Sequence, residues 1–338
     1  ADTGVAAAGA VEADVTISFG WARAGHIFAP ECGAVVLCDL LLPGAPRSFA
    51  EELSATAKPV GHIANEPTIP LPYQWPSEPV LTGEQGVVTA PKPVGCPGPI
   101  LDPTPGAKST KYTGGVTAVC AGSSAFPGAG ILAATGAVRA TPSMVRVVGN
   151  DSVTTSLPEV VPHASAQEKV HAQAWVIGPG RGTDPEAAAE LRAVLKRGLP
   201  TIIDADALTV LSTYGDLREL VRDHPCAVLT PHAGEFERLY KATLGRELDL
   251  SEGLEIRLQE LASALDCFVL HKGRITTVTG PGQDIYGMNA GHSYAATAGS
   301  GDVLSGILGA TLAQLDIVEV SAETIIMEIL HAAAIHQH

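Results

Sequence analysis

Aromatic side chains make up only 4% of the 338 residues and charged ones 17%, while hydrophobic types reach 46% and glycines number 36. So little charge beside so much apolar side chain excludes a disordered chain. Abundant Ala, Val, Leu and Gly instead suit a parallel sheet buried by helices. Basic residues are few: 21 Lys and Arg against 36 Asp and Glu leave a formal charge of -15. No Lys/Arg cluster offsets it, so the nonspecific phosphate attraction of nucleic-acid binders is excluded. A small anionic ligand stays compatible, because backbone N–H groups and a few local cations bind phosphate inside an acidic protein. No apolar run approaches the roughly 18 residues of a bilayer span, and no charged leader with an apolar core opens the chain, so no membrane partner is expected.

The six cysteines, Cys32, Cys38, Cys96, Cys120, Cys226 and Cys267, contain no C-x-x-C pair. In a chain of this size they read as reduced, mostly buried thiols, which favours the cytoplasm. The histidines show no H-E-x-x-H or comparable spacing, so no structural metal is expected. G-x-x-x-x-G-K-[ST] is missing, with "TPGAKST" (104–110) having the lysine but not the glycine framework, and so is the G-x-G-x-x-G dinucleotide fingerprint. The chain opens without Met and stops at "LHAAAIHQH", and it is expected to be a segment of something longer.

At about twice a typical domain length, one large α/β domain plus a smaller piece is the natural expectation. Twelve of the 25 prolines fall between Pro59 and Pro105, too many for a helix or a central strand. That stretch is the expected boundary. Before it, "DVTISFG" and "AVVLCDLLL" are β-like runs. After it, "VTAVCAGS", a helix from about Gly128 to Arg139, "MVRVVG", "AWVIGPG", a helix from about Pro185 to Lys196, "TIIDAD", "AVLTPH" and "CFVLHKG" alternate. The second helix has Asp184 as N-cap, Pro185 at its first position and Gly198 just past its end. This alternation predicts an α/β fold with a doubly wound, mostly parallel sheet, in which ligands bind outside the carboxyl ends of the strands.

Those ends read "AGSS", "GPGRG", "DADAL", "TPHAGE" and "HKG". Gly178, Gly180 and Gly182 allow either close approach to a ligand or a tight strand-to-helix turn. Asp204 and Asp206 are candidates for a phosphate or magnesium contact, with Asp206 equally readable as the N-cap of the next helix. His232 and Glu235 follow a strand end where a helix start explains everything but the His. Lys272 with Gly273 reads as a phosphate contact or as a hairpin turn toward "ITTVT". The sharpest stretch is "TAGSGDVLSG" (297–306). Apolar positions Val303, Leu304, Ile307, Leu308, Thr311 and Leu312 make a helix behind it. The amides of residues 299–302 would then lie at the positive helix end, where a phosphoryl oxygen is stabilised, and Asp302 could take a proton from an attacking hydroxyl. The alternative is Asp302 as a cap, with the glycines serving helix packing.

Taken in order, "KYTGGVTAVCAGSSAFPGAGILAATGAV" (111–138), "GPGRG", "DADAL", "LTPHAGE", "HKGRIT" and "NAGHSYAATAGSGDVLSGILGA" (289–310) resemble the NAD(P)H-hydrate dehydratase family of the ribokinase-like superfamily. The resemblance covers about residues 108–338 and implies a ribokinase-like fold. It implies that ADP or ATP phosphorylates the hydroxyl of hydrated NADH or NADPH, and that phosphate elimination restores the reduced nicotinamide. By position it implies contacts of Ala129, Gly182, His232 and Asp302 with the hydrated dinucleotide, and Asp302 as the base. Lys272, Gly273, Arg274, Ile275, Thr276 and Gly301 would bind the nucleotide, with Mg2+ bridging its phosphates; Asn289 and Gly299 join Asp204 and Asp206 as possible phosphate or Mg2+ contacts. A homo-oligomer is expected, and a small-molecule (vitamin precursor) kinase of the same superfamily is the alternative.

Two motifs depart from the family pattern. P-H-A-G-E stands where the family has P-H-P-G-E, and A-G-S-G-D where it has G-G-T-G-D, through Ala298 and Ser300. Residues 1–43 resemble the closing part of the NAD(P)H-hydrate epimerase domain, as a short segment of a second α/β domain, with 44–107 as a proline-rich linker. The epimerase's N-N-G-G-D-G and D-x-P-S-G motifs are absent, so a bifunctional enzyme would need residues upstream of Ala1.

Overall fold

In the chain's computed structural model, residues 104–288 (except 142 and 252) and 294–337 are described, with short stretches at 10–13, 15–19, 30–32, 34–38, 47, 51, 61–64, 82–83 and 86–87. The two early β-like runs form β1 (Val15–Phe19) and β2 (Ala34–Cys38), which pair in parallel from Val15↔Ala34 to Phe19↔Cys38. Within the proline-rich stretch lie β3 (Gly61–Ala64) and a small antiparallel ribbon, β4 (Thr82–Gly83) with β5 (Gly86–Val87).

The alternating part follows as β6 (Thr117–Cys120), α1 (Pro127–Ala140), β7 (Val145–Val148), α2 (Val153–Ser156) and β8 (Val161–His163). Next come β9 (Ala174–Ile177), α3 (Pro185–Leu195), β10 (Thr201–Ile203), α4 (Asp206–Thr213), α5 (Gly215–Arg222) and β11 (Ala227–Leu229). The chain continues through α6 (Ala233–Leu244), α7 (Leu254–Leu265), β12 (Phe268–His271), β13 (Thr276–Thr279) and β14 (Ile285–Met288) to α8 (Ser300–Leu312) and α9 (Ala322–Gln337). Both expected helices form within a residue or so of their expected ends. Asp184 caps α3, its Oδ1 accepting the Ala187 N–H at 2.9 Å, and Gly198 turns away with φ +63°.

One sheet runs β3-β14-β13-β12-β11-β10-β9-β6-β7-β8. From β12 to β8 all neighbours are parallel; β13 is antiparallel to both β12 and β14, and β3 pairs in parallel with β14. The proline-rich stretch thus contributes an edge strand to this sheet, the place where proline-flanked segments are tolerated. The chain winds outward from β6 to β8, then returns to β9 beside β6 and winds the other way. The crevice of a doubly wound sheet opens at such a reversal.

The strands divide their side chains between two cores with period two. Val176 and Ile202 face α1, α8 and α9, whereas Trp175, Ile177 and Ile203 face α3 to α7. Trp175 is fully buried, with the Arg197 guanidinium 4.7 Å from its ring centroid. Cys120, Cys226 and Cys267 are buried free thiols, and Cys32 is half-buried.

Small residues decide how α8 sits. A Cβ on Gly306 would lie 1.9 Å from the Ala133 carbonyl oxygen, one on Gly136 2.2 Å from that of Val303, and one on Gly309 2.3 Å from Val176 Cγ2. Helix α8 therefore packs backbone-to-backbone on α1 and directly onto β9. Its Leu304, Ile307, Leu308 and Leu312 are buried as the apolar spacing predicts, while Val303 and Thr311 are half-buried. Gly306→Ala should overpack this contact by about 1–3 kcal/mol and lower the thermal midpoint by roughly 3–10 °C. An unchanged melting curve would contradict the close approach.

Candidate active site

Strand β10 ends on a buried carboxylate. Asp204 Oδ1 accepts from Lys272 Nζ at 2.7 Å and from the Ala205 N–H at 2.8 Å, and Oδ2 accepts from Ser305 Oγ at 2.7 Å. One side chain thus joins the ends of β10 and β12 to the middle of α8. The next residue, Ala205, is held at φ +51°, a strained conformation for a residue with a Cβ. The expectation of Asp204 at a phosphate or magnesium ion meets a carboxylate with both oxygens engaged. In this structure it holds Lys272 and Ser305.

The start of α8 has no capping side chain. Gly299, at φ +83°, takes the cap position with Asp302 third in the helix, so Asp302 is not the cap. The Ser300 N–H donates to Thr297 O at 3.2 Å and the Val303 N–H to Gly299 O at 3.2 Å. Of the four amides expected to point at a ligand, that of Ser300 is therefore already used. The amides of Gly301 and Asp302 have no acceptor among the described residues. A Cβ on Gly301 would stand 3.4 Å from Lys272 Nζ, which places the ammonium against the first turn. A cation beside the positive end of a helix is electrostatically unfavourable, and Asp204 is the anion that balances it.

Asp302 faces this same cluster. Burial pushes its carboxyl up to about 6, the Asp204 charge adds to the rise, Lys272 opposes it, and Asp206 contributes a smaller rise. At neutral pH such a group is about nine-tenths ionised while remaining a good proton acceptor.

Across the crevice, Asp206 Oδ2 accepts the Gly182 N–H at 2.8 Å. Asp206 is the first residue of α4, with Ala205 at the cap position, so its carboxylate steadies the glycine turn after β9 rather than capping its own helix. Gly182 has φ +84° and open space where a Cβ would be. A Cβ on Gly178 would meet Asp204 O at 1.9 Å and one on Gly180 would meet Ala129 Cβ at 2.9 Å. The turn therefore needs its glycines for packing as well as for access, and Ala129 lies against it.

His232 caps α6: its Nδ1 accepts the Gly234 N–H at 3.1 Å, while Glu235 Oε2 accepts the His232 N–H at 2.9 Å. The imidazole is otherwise exposed. Its backbone bridges to Lys272, whose N–H donates to Pro231 O at 2.9 Å, so His232 and Lys272 stand on adjacent strand ends. Neighbouring His271 is buried edge-on to Phe236, and burial pushes its pKa down to about 4.

Lys272 to Ile275 form the expected β12–β13 hairpin turn as well as the edge of the site. Gly273 and Arg274 are exposed, whereas Ile275 and Thr276 are buried, with Thr276 Oγ1 accepting from Gln337 Nε2 at 2.8 Å. Of the five hairpin residues, Lys272, Gly273 and Arg274 are thus the ones with side chain or surface toward solvent. Asn289 lies outside the described residues. Among the described residues, no three His, Cys, Asp or Glu side chains group to hold a metal ion, and no helix is long and apolar enough to cross a membrane.

Three residues of this region escape a reading of the sequence. Ser305 and Asp204 are 101 residues apart in the chain, although a lone hydroxyl on an apolar helix face is a usable signal. His336, whose Nε2 is 2.8 Å from Ser300 Oγ, leaves no such signal. Arg181 sits among glycines with Glu190 nine residues on, a spacing that hints at a pair.

The fold and its site define the class: this is a ribokinase-like α/β protein in which an acid stands at a helix start where the amides of Gly301 and Asp302 have no acceptor among the described residues. A ribokinase-like superfamily protein from Enterococcus faecalis V583 superposes with a TM-score of 0.58 at 25% identity, covering 69% of this chain and 81% of that one. The chain belongs to the NAD(P)H-hydrate dehydratase family, whose profile matches residues 117–337. It is 40% identical over 323 residues to the bifunctional NAD(P)H-hydrate repair enzyme Nnr of Corynebacterium glutamicum, covering 90% of this chain and 54% of that protein. The chain thus spans about half the length of that curated relative. The ADP/ATP-dependent NAD(P)H-hydrate dehydratase of Bacillus subtilis, co-crystallised with ATP/Mg2+, superposes with a TM-score of 0.55 at 26% identity, covering 69% of this chain and 82% of that one.

The electrostatics are directly measurable. In a carboxyl-resolved NMR titration of the full chain, Asp302 should titrate with a midpoint about 6. Asp204→Asn should lower that midpoint, because it removes a like charge and leaves Lys272 in place; a rise would contradict the arrangement.

Proposed function

We propose that this protein dehydrates hydrated NADH or NADPH back to the reduced dinucleotide, using ADP or ATP to phosphorylate the hydroxyl. The observation that carries the reading is the meeting of Lys272, the start of α8 and Asp302. An ammonium and two amides without an acceptor converge beside a carboxyl pushed up to about 6.

In the first step Asp302 removes the hydroxyl proton as that oxygen bonds to the terminal phosphorus of the nucleotide, and the bridging P–O bond breaks with its electron pair leaving on AMP (from ADP) or ADP (from ATP). In the second, the carbon–oxygen bond breaks and phosphate departs with its electron pair, while the adjacent carbon gives a proton to water and its C–H electron pair restores the ring double bond. The amides of Gly301 and Asp302 meet the phosphoryl oxygens as charge develops. Lys272 has three donors, so it can hold Asp204 and still reach a phosphate. Gly182, Ala129 and His232 border the side assigned to the hydrated dinucleotide, and Gly273 and Arg274 the side assigned to the nucleotide.

A divalent cation fits this donor set as a passenger on the nucleotide phosphates. No three acidic, His or Cys side chains group here among the described residues, so the protein offers no cage of its own. Mg2+ bound to the phosphates would supply charge neutralisation there.

The same proposal divides the chain into an epimerase-like piece (1–43), a linker (44–107) and the dehydratase domain (108–338). The parallel β1–β2 pair supports the first, and β3 ties part of the linker to the dehydratase sheet. A cytoplasmic homo-oligomer is the expected setting.

The test is to incubate the protein with hydrated NADH, Mg2+ and either nucleotide. Recovery of the absorbance of reduced nicotinamide, with phosphate released, supports the reading; no recovery with either nucleotide overturns it. A stable phosphorylated product would mark a small-molecule kinase instead. Asp302→Asn should lower kcat about 100-fold or more while the protein stays folded. Because the base acts ionised and its carboxyl titrates at about 6, kcat/KM should fall about tenfold per pH unit below that value. The acid limb should vanish in the residual activity of Asp302→Asn.

A further inference from the structure

We propose that Arg181 is a positioning residue whose guanidinium locks the loops after β6, β7 and β9 into one wall. That this wall receives the hydrated dinucleotide rests on the functional reading above; that it is locked by Arg181 does not.

The guanidinium is largely buried, at 13% side-chain exposure, and its donors are spent in three directions. Nη1 donates to Gly122 O at 2.7 Å and to Gly149 O at 3.0 Å, while Nε donates to Glu190 Oε2 at 2.9 Å and Nη2 to Glu190 Oε1. Gly122 and Gly149 are the left-handed residues, at φ +76° and +70°, where the chain leaves β6 and β7. Their carbonyls turn out of the sheet ladder there and need another donor. A Cβ on Gly149 would lie 2.8 Å from Nη2 and would push the guanidinium away. The Gly122 N–H in turn donates to Pro179 O at 2.7 Å, closing a ring from the loop after β6 to the loop after β9.

These three strands are the ones around which the sheet reverses its order, where the crevice opens. The locked turn carries Gly180, which abuts Ala129, and Gly182, whose N–H is held by Asp206. Lys272 and Gly301 belong to the other side of the crevice and share no hydrogen bond with this ring. A Lys at 181 would keep the charge opposite Glu190 but could not bridge both carbonyls with a planar fork. Cys120, 3.8 Å from Glu190 Oε2, has its thiol pushed up to about 12 by burial and by that carboxylate, so it stays a neutral neighbour.

Removing Arg181 alone would strand a buried carboxylate, so the test uses the full chain carrying Arg181→Leu with Glu190→Leu, and separately Arg181→Lys. In apo protein, hydrogen exchange of residues 121–123, 149–151 and 178–182 should quicken together by about tenfold or more, with α7 unchanged. In turnover, KM for hydrated NADH should rise about tenfold, with KM for the nucleotide within about twofold. Unchanged protection at 121–123 and 149–151 overturns the proposal, as does an equal rise in both KM values or no rise in either. If the paired variant does not fold, Arg181→Lys decides alone by the same two readouts. A parent protein that turns over no hydrated dinucleotide defeats the functional reading, and the exchange pattern still decides the role of Arg181.

Discussion

The carboxylate of Asp204 stands at the end of β10 with neither oxygen facing water. Two partners from other elements keep it satisfied: an ammonium from the end of β12 on one oxygen, a hydroxyl from α8 on the other. Burying a charge is unfavourable unless it is paired and hydrogen-bonded, so the position of each partner is narrowly fixed. Lys272 is thereby held at the start of α8, and the pair of charges sets the field in which Asp302 titrates. Burial of Asp302 and the charge of Asp204 together push the Asp302 carboxyl up, and Asp204 also fixes an ammonium beside the helix start.

Glycine makes that arrangement reachable. The backbone of α8 could not approach α1 and β9 with a methyl group at 306 or 309, and the Ser305 hydroxyl between them could not then reach β10. The same residue type ends β6, β7 and β9 in left-handed turns whose carbonyls or amides are captured by Arg181, Asp206 and Pro179. The crevice walls therefore come from two chemistries, an Asp–Lys–Ser cluster on one side and an Arg–Glu pair beneath glycine turns on the other.

Much of the architecture was legible locally. The cap of α3 and its trailing glycine need only neighbouring residues, and the period-two strands and the apolar stripe of α8 follow from residues a turn or a pleat apart. Readings that opposed a structural to a functional role were harder, because one residue can serve in both ways. His232 caps a helix and stands at the crevice edge, and Lys272 begins a hairpin and faces α8. Asp206 was open to a reading as a cap or as a ligand contact, and neither anticipates the Gly182 N–H that it accepts from 24 residues away.

Residue order by itself determined the alternation of strands and helices, the concentration of glycines and acids at the strand ends, and the succession of motifs that identifies the family. Only the tertiary structure decided that Asp204 accepts from Lys272 and Ser305, that burial pushes the Asp302 carboxyl up, and that Arg181 joins three loops. Hydrogen bonds of this kind, and the desolvation that shifts a carboxyl, depend on distances through space between segments that the chain separates by tens of residues. No local pattern encodes those distances.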